Sequence, residues 1–161
     1  MVVNDVPINE LIADLGAEDD EVRRRAQITL HELGVLAIEP LIDALLTGEP
    51  QVQRRAAALL ADVGDARVVT PLIRALNALQ CDGCDDLTLV KIVDAIGHFG
   101  DPRGVKALID ALPNATPHVR RRIIAALVSI GDRRAIAPIQ RLVNDPDVGE
   151  TARWALYQLG E

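Results

Sequence analysis

Five times in this chain a similar phrase closes on glycine: ELG at Gly34, DVG at Gly64, HFG at Gly100, SIG at Gly131 and QLG at Gly160. The intervals between these glycines are 30, 36, 31 and 29 residues. A period of that length marks a repeat array, and it constrains the fold more than any other feature. One unit is too small to bury its own apolar face, so it must stack on its neighbours. A second phrase recurs ahead of four of these glycines: PLIDAL from Pro40, PLIRAL from Pro71, ALIDAL from Ala107 and PIQRLV from Pro138. ELIADL from Glu10 fills the same slot in the first unit.

Each unit reads as two helices. The first carries apolar residues at helical spacing, as in Leu41, Ile42, Leu45 and Leu46. The second keeps a fixed apolar frame: Val22, Ala26, Leu30 and Leu33, then Val52, Ala56, Leu60 and Val63. Val119, Ile123, Leu127 and Ile130 repeat it, as do Val148, Ala152, Leu156 and Leu159. Such spacing holds these residues on one helix face. Glycine after the last apolar residue suits a left-handed C-terminal cap. Asp65, Asp101 and Asp132 follow at once and are expected to cap the next helix. Pro40, Pro71 and Pro138 are expected early in the first helix, where a missing N–H costs least.

The stretches EDDEVRRRAQITLHELG and PHVRRRIIAALVSIGDRRAIAP resemble HEAT-like repeats of the phycobilisome-lyase type. That pattern is a turn Asp, then V-R, a small pair, L-G and a closing G-D. The resemblance covers roughly residues 8–160 and leaves the third unit as the outlier, with Thr88 and Leu89 where V-R is expected. Periodicity and resemblance together predict an all-α fold without β-sheet, a right-handed α-α superhelix (a HEAT-type solenoid) of about five helical pairs. Residues 1–161 form one repeat domain, with units near 8–34, 35–64, 65–100, 101–131 and 132–160.

Composition fits this. The chain is 49% hydrophobic yet holds one Trp, one Tyr and one Phe, so the core must be aliphatic, as close helix packing allows. A formal net charge of −7 argues against nucleic acid or an anionic membrane as partner, because a basic surface supplies most of that affinity. The N-terminal MVVNDVPINE has acids where a secretory signal carries Lys or Arg, and no apolar run reaches membrane-spanning length. Two cysteines make no disulfide framework. The expected location is therefore the cytoplasm.

In HEAT-type arrays the second helices line the concave face. Carried onto this sequence, the resemblance points four variable positions per unit outward. The upper rows are Arg24 and Arg25, Arg54 and Arg55, Val90 and Lys91, Arg121 and Arg122, then Glu150 and Thr151. The lower rows are Ile28 and Glu32, Ala58 and Asp62, Asp94 and His98, Ala125 and Ser129, then Trp154 and Gln158. An acidic chain thus carries a basic stripe along its presumed groove. Two readings of the stripe stay open. Neighbouring acids such as Glu18, Asp19, Asp20, Glu21 and Glu49, with solvent, answer it from within the chain. Alternatively an acidic partner segment does, since arginine forks match carboxylates. Trp154 and Tyr157 in the last helix either fold over the open end as a cap or anchor a partner or a second copy. The chain is expected as a monomer or a weak dimer through that end.

Chemistry-bearing motifs are few. The CDGCDDL segment lies inside unit three, which has five residues inserted between its helices, and Cys81 and Cys84 with Asp82, Asp85 and Asp86 are only a weak metal candidate. Structural zinc needs four ligands, and nearby acids raise thiol pKa values, so a solvated loop is the expectation, with a reversible disulfide or a metal as the lesser alternatives. His31–Glu32 is a lone His-Glu pair, whereas the HEAT-like di-iron deoxyhypusine hydroxylase uses several. No phosphate loop or nucleophile constellation stands out, and no cofactor is expected. The leading reading is a non-enzymatic HEAT-repeat scaffold that binds a protein partner through its concave face. The alternative implied by the resemblance is a phycobilin lyase-like subunit or a chaperone acting on a chromophore protein. A DNA-repair role, found in some HEAT-like proteins, is opposed by the net charge.

Overall fold

The computed structural model describes residues 7–79 and 85–160. The chain divides into two compact units, Met1–Val68 and Val69–Glu161. The first contains α1 (Ile8–Asp14), α2 (Asp20–Leu33), α3 (Ile38–Thr47) and α4 (Pro50–Val63). The second contains α5 (Val69–Ala78), α6 (Asp86–Phe99), α7 (Gly104–Ala111), α8 (Pro117–Ile130), α9 (Ile136–Gln140) and α10 (Gly149–Leu159). No strand occurs among the described residues.

Each unit is a stack of helical hairpins in two layers. In the first, α1 packs on α2 and α3 on α4; α1 also meets α3, and α2 meets α4. In the second, α5 pairs with α6, α7 with α8 and α9 with α10, while α5 lies on α7, α6 on α8 and α8 on α10. First helices therefore pack on first helices, and second on second, as an α-α solenoid requires. The fully buried side chains are aliphatic, among them Leu30, Leu60, Ile96 and Leu127, which hold the same place in four second helices. Three leucines and one isoleucine thus fill the second-helix layers within their own units, and burying each supplies on the order of 2 kcal/mol.

The period-marking glycines cap the second helices. Gly64, Gly100, Gly131 and Gly160 all adopt the left-handed conformation, with φ between 60° and 86°. Gly34 has φ 53° but ψ −118°. Its turn is one residue shorter, running to Pro40 with no Asp after the glycine. Each of Pro40, Pro71 and Pro138 is the third residue of its helix, within the first turn, where backbone N–H groups lack helical acceptors.

The turns after Gly64, Gly100 and Gly131 contain a device the sequence repeats as D-x-R. Asp65, Asp101 and Asp132 each accept the backbone N–H two residues on, at 2.8, 2.8 and 2.9 Å. The arginine at that same residue, Arg67, Arg103 or Arg134, then forks onto the carboxylate at 2.6–3.0 Å. Arg134 also donates to the Pro102 carbonyl at 2.9 Å, joining successive turns. The side-chain bond from the arginine, then the backbone N–H, holds all three carboxyls below the usual range, Asp132 at about 2. A carboxyl whose folded pKa is depressed adds stability above its unfolded value, near 4, and loses it as pH falls. The protein is expected to lose stability as pH drops from about 4 toward 2. The triple variant Asp65→Asn, Asp101→Asn, Asp132→Asn should keep its backbone caps yet show a flatter acid limb. Urea midpoints measured across that range check this, and parallel curves for the two proteins would refute it.

Unit three keeps its frame despite Thr88 and Leu89. Like α2, α4 and α8, α6 has 14 residues and ends on the capping glycine. Thr88 occupies the valine position and is buried, its hydroxyl donating to Asp85 Oδ2 at 2.6 Å while its N–H meets the same oxygen at 3.0 Å. Leu89 is buried in the arginine position. The inserted segment, with Cys81 and Cys84, lies outside the described residues.

Candidate partner-binding surface

The V-R pair at the start of the second helices has a local task. Val119 enters the core, while Arg120 lies half-buried against the chain that precedes α8 and the loop that leads into α10. Its Nε donates to the Leu112 carbonyl at 3.2 Å, and its Nη1 pairs with Asp145 at 2.8 Å. Asp145 also accepts the N–H groups of Asp147 and Val148; the Asp147 bond does most to hold its pKa down. In the first unit Arg23 does the same work, donating to the carbonyls of Ala17 and Glu18 and pairing with Asp20. These arginines hold loops to helices, a role that the spacing of the repeat alone does not specify. The recurring V-R was the visible signal.

The next two positions form the basic rows. On α2, Arg24 and Arg25 are exposed, and among the described residues their side chains make no hydrogen bond or ion pair. Two of the neighbouring acids act elsewhere: Asp19 caps α2 by accepting from Glu21 and Val22 N–H, and Asp20 pairs with Arg23. On α4, Arg54 and Arg55 are half-buried rather than exposed. Arg55 Nη1 donates to the Leu15 carbonyl at 2.6 Å, tying α4 to the end of α1. Burial first, then the charges of Arg23 and Arg54, lowers the Arg55 pKa. Charge reversal at Arg54 and Arg55 would therefore disturb packing as well as charge, which the sequence did not reveal.

Below these rows, α2 and α4 enclose an open cleft of about 470 Å³. Ile28, Ala58 and Leu59 provide its apolar wall, and Arg55, His31, Glu32 and Asp62 its polar edges. Ile28 is 52% exposed.

In the second unit the same positions are arranged differently. Lys91 is exposed on α6. Arg122 forks onto Asp94 at 2.6 and 2.9 Å, an ion pair between α8 and α6. Arg121 donates to the Asp147 carbonyl at 3.3 Å. Beneath Arg122, α6 and α8 approach closely because Gly97 faces Ala126. Trp154 and Tyr157 on α10 are 50% and 77% exposed, so neither ring is buried within its own chain. Arg153 stands beside them at the position where α6 and α8 bury Val93 and Ile124. Among the described residues no group of three His, Cys, Asp or Glu side chains is placed to hold a metal ion, and no helix is long and apolar enough to cross a membrane.

The stacked hairpins, the left-handed glycine caps and the V-R anchors agree with what comparison with known proteins finds. The model for HEAT repeats matches residues 76–160, just over half of the chain. The chain belongs to the HEAT-repeat family. Residues 52–78 of this HEAT-repeat protein also match the PBS lyase HEAT-like repeat, which makes it a repeat protein of that type. It is 33% identical to "Uncharacterized phycocyanin operon protein Z" of Pseudanabaena tenuis, over 94% of this chain and 79% of that one. The crystal structure of an engineered protein superposes with a TM-score of 0.53 at 20% identity, covering 94% of this chain and 78% of the other. That likeness concerns the fold alone.

Proposed function

We propose that this HEAT-repeat protein is a non-enzymatic scaffold that binds a protein partner through the face of its second helices. The observation that carries this reading is the pair of unanswered arginines, Arg24 and Arg25, on a solvent-facing row. Lys91, Arg121 and Arg122 extend the set of contact residues, and Trp154 and Tyr157 supply aromatic area of the kind that dominates binding energy. Arg54 and Arg55 belong to that face, and Arg55 also ties α4 to the end of α1. The similarity to a phycocyanin operon protein favours a phycocyanin-type chromophore protein as the partner. The same similarity favours a second reading, a phycobilin lyase-like subunit or chaperone for such a protein. On either reading the chain itself needs no cofactor, and its place is with the phycobiliproteins in the cytoplasm.

Titration of isolated phycocyanin α and β subunits, each with and without chromophore, tests this. The expected result is saturable binding to at least one form, weakened by added salt as charged contacts are screened. Binding that prefers the chromophore-free subunit, with faster covalent bilin attachment on mixing, selects the lyase-like reading. Absence of binding to every form overturns the phycocyanin assignment.

A further inference from the structure

The cleft between α2 and α4 is polarised along the helix axis. Counting back from the capping glycines, the same three levels recur on both helices. Nine residues before the glycine stand Arg25 and Arg55; six before it, Ile28 and Ala58; two before it, Glu32 and Asp62. The cleft therefore has Arg55 at its upper edge, with Arg25 level with it on α2 beyond the lining, an apolar middle and an acidic lower edge. Seven residues of helix separate the charged levels, which is about 10 Å.

The upper edge holds charge that the molecule does not neutralise. In the second unit the arginine at this level, Arg122, is paired with Asp94, the residue six before the glycine on α6. On α2 that carboxylate is replaced by Ile28, half-exposed, and Arg24 and Arg25 remain unpaired among the described residues. Burial first, then the nearby charges of Arg23 and Arg54, lowers the pKa of Arg55. At the lower edge, Glu32 and Asp62 are exposed and likewise unpaired among the described residues. One position thus carries an ion pair in one unit and an open, apolar, two-signed cleft in the other.

We infer that this cleft receives a helix of the partner protein that carries carboxylates at one end, a large apolar side chain in the middle and basic residues at the other. On such a helix the three features recur at i, i+3 or i+4, and i+7, one face of the helix and the same rise of about 10 Å. The apolar side chain meets Ile28 and Ala58, its carboxylates meet Arg24 and Arg25, and its basic residues meet Glu32 and Asp62. This rests on the reading of the chain as a partner-binding scaffold and adds the chemistry of what it holds.

Synthetic helical peptides of roughly fifteen residues, long enough for measurable helicity, provide the test. Four are titrated against the full chain: acid–leucine–base, acid–leucine–acid, base–leucine–base, and acid–alanine–base. The two-signed leucine peptide should bind about tenfold more tightly than any other, because like charges facing each other oppose binding and the apolar contact adds to it. In the variant Arg24→Glu, Arg25→Glu, both residues being exposed, the preference should pass to the all-basic peptide, with an unchanged helical circular dichroism spectrum. A second variant, Ile28→Asp, should abolish the advantage of leucine over alanine. Equal binding of the four peptides, no binding at all, or a variant with the parental preference would each overturn the inference. The functional reading fails separately. Phycocyanin subunits that bind the parent and the Arg24→Glu, Arg25→Glu variant equally would remove the cleft from the interface and leave the scaffold standing. Peptide selectivity without phycocyanin binding would do the reverse.

Discussion

Replacing Gly97 with valine is expected to cost about 3 kcal/mol or more, a large share of the stability of a chain this size. A Cβ at Gly97 would lie 2.8 Å from Ala126 Cβ and 2.9 Å from Ala126 Cα. Both distances are too short, and one of the opposing atoms is backbone. A flexible side chain could turn away, but a helix backbone can only shift as a whole. The shift would open the α6–α8 contact, the most extensive between helices in this unit. Gly97→Ala is a sharper probe because two effects oppose each other. Alanine favours the helix by about 1 kcal/mol, yet it introduces the same close contact. We expect the contact to win and the variant to be destabilised. His31→Val supplies the control, since His31 holds the same repeat position on α2 and is exposed. That change should stay within about 0.5 kcal/mol. Urea unfolding gives all three values, and a Gly97→Val protein as stable as the parent would mean that α6 and α8 do not meet at this point.

Gly97 also shows where the sequence stopped being informative. The glycines that close each unit could be read because they sit one residue past an apolar frame, and only a left-handed cap explains that place. Gly97 lies inside the frame, and nothing local distinguishes a helix crossing from a neutral position. Its reason is Ala126, a residue from the next second helix, so it becomes visible only when the two are packed. The same holds for Arg55. The sequence makes it the twin of Arg25, with the same offset from glycine and the same arginine before it. Arg25 is exposed, while Arg55 donates to the carbonyl of Leu15. The difference lies in the end of α1, forty residues earlier in the chain.

Other features were present in the letters but not recognised as units. DAR, DPR and DRR follow three capping glycines, and helix-cap chemistry accounts for the Asp but not for its arginine. The carboxylate does accept the backbone N–H two residues on, but it also receives the side chain of that same residue. The first turn lacks both parts: Val35 and Leu36 stand there, exposed, with no Asp after Gly34. The altered ψ of Gly34 accompanies that shorter turn. Helical hairpins, proline positions and the aliphatic core were legible because they follow from spacing within one unit. The division of the basic rows into paired, anchored and unanswered arginines was not, because it depends on which residue of a neighbouring helix faces each one.

A single repeat position makes the link between packing and stability measurable. The residue four before the capping glycine is Leu60 in α4, Leu127 in α8 and Leu156 in α10. Leu60 and Leu127 are fully buried, whereas Leu156 is half-buried. By sequence the three are equivalent, and substitution by alanine removes the same atoms from each. The expected cost is not the same. In a closed site the loss has two parts, the transfer of the removed methyl groups and the cavity left behind, together about 3 kcal/mol. Leu156 packs in a helix whose contacts among the described residues run to α8 and α9, and water can reach its side chain. There the removed atoms were partly solvated already, and the gap fills with solvent instead of standing empty. We expect about 1 kcal/mol at Leu156, roughly a third of the cost at Leu60 or Leu127. Each variant is unfolded in urea beside the parent, with the slope compared as well as the midpoint, so that a change in the unfolded state is not mistaken for a packing effect. Equal losses at the three positions would show that the last leucine is enclosed as tightly as the others, and the burial assigned to α10 would have to be abandoned.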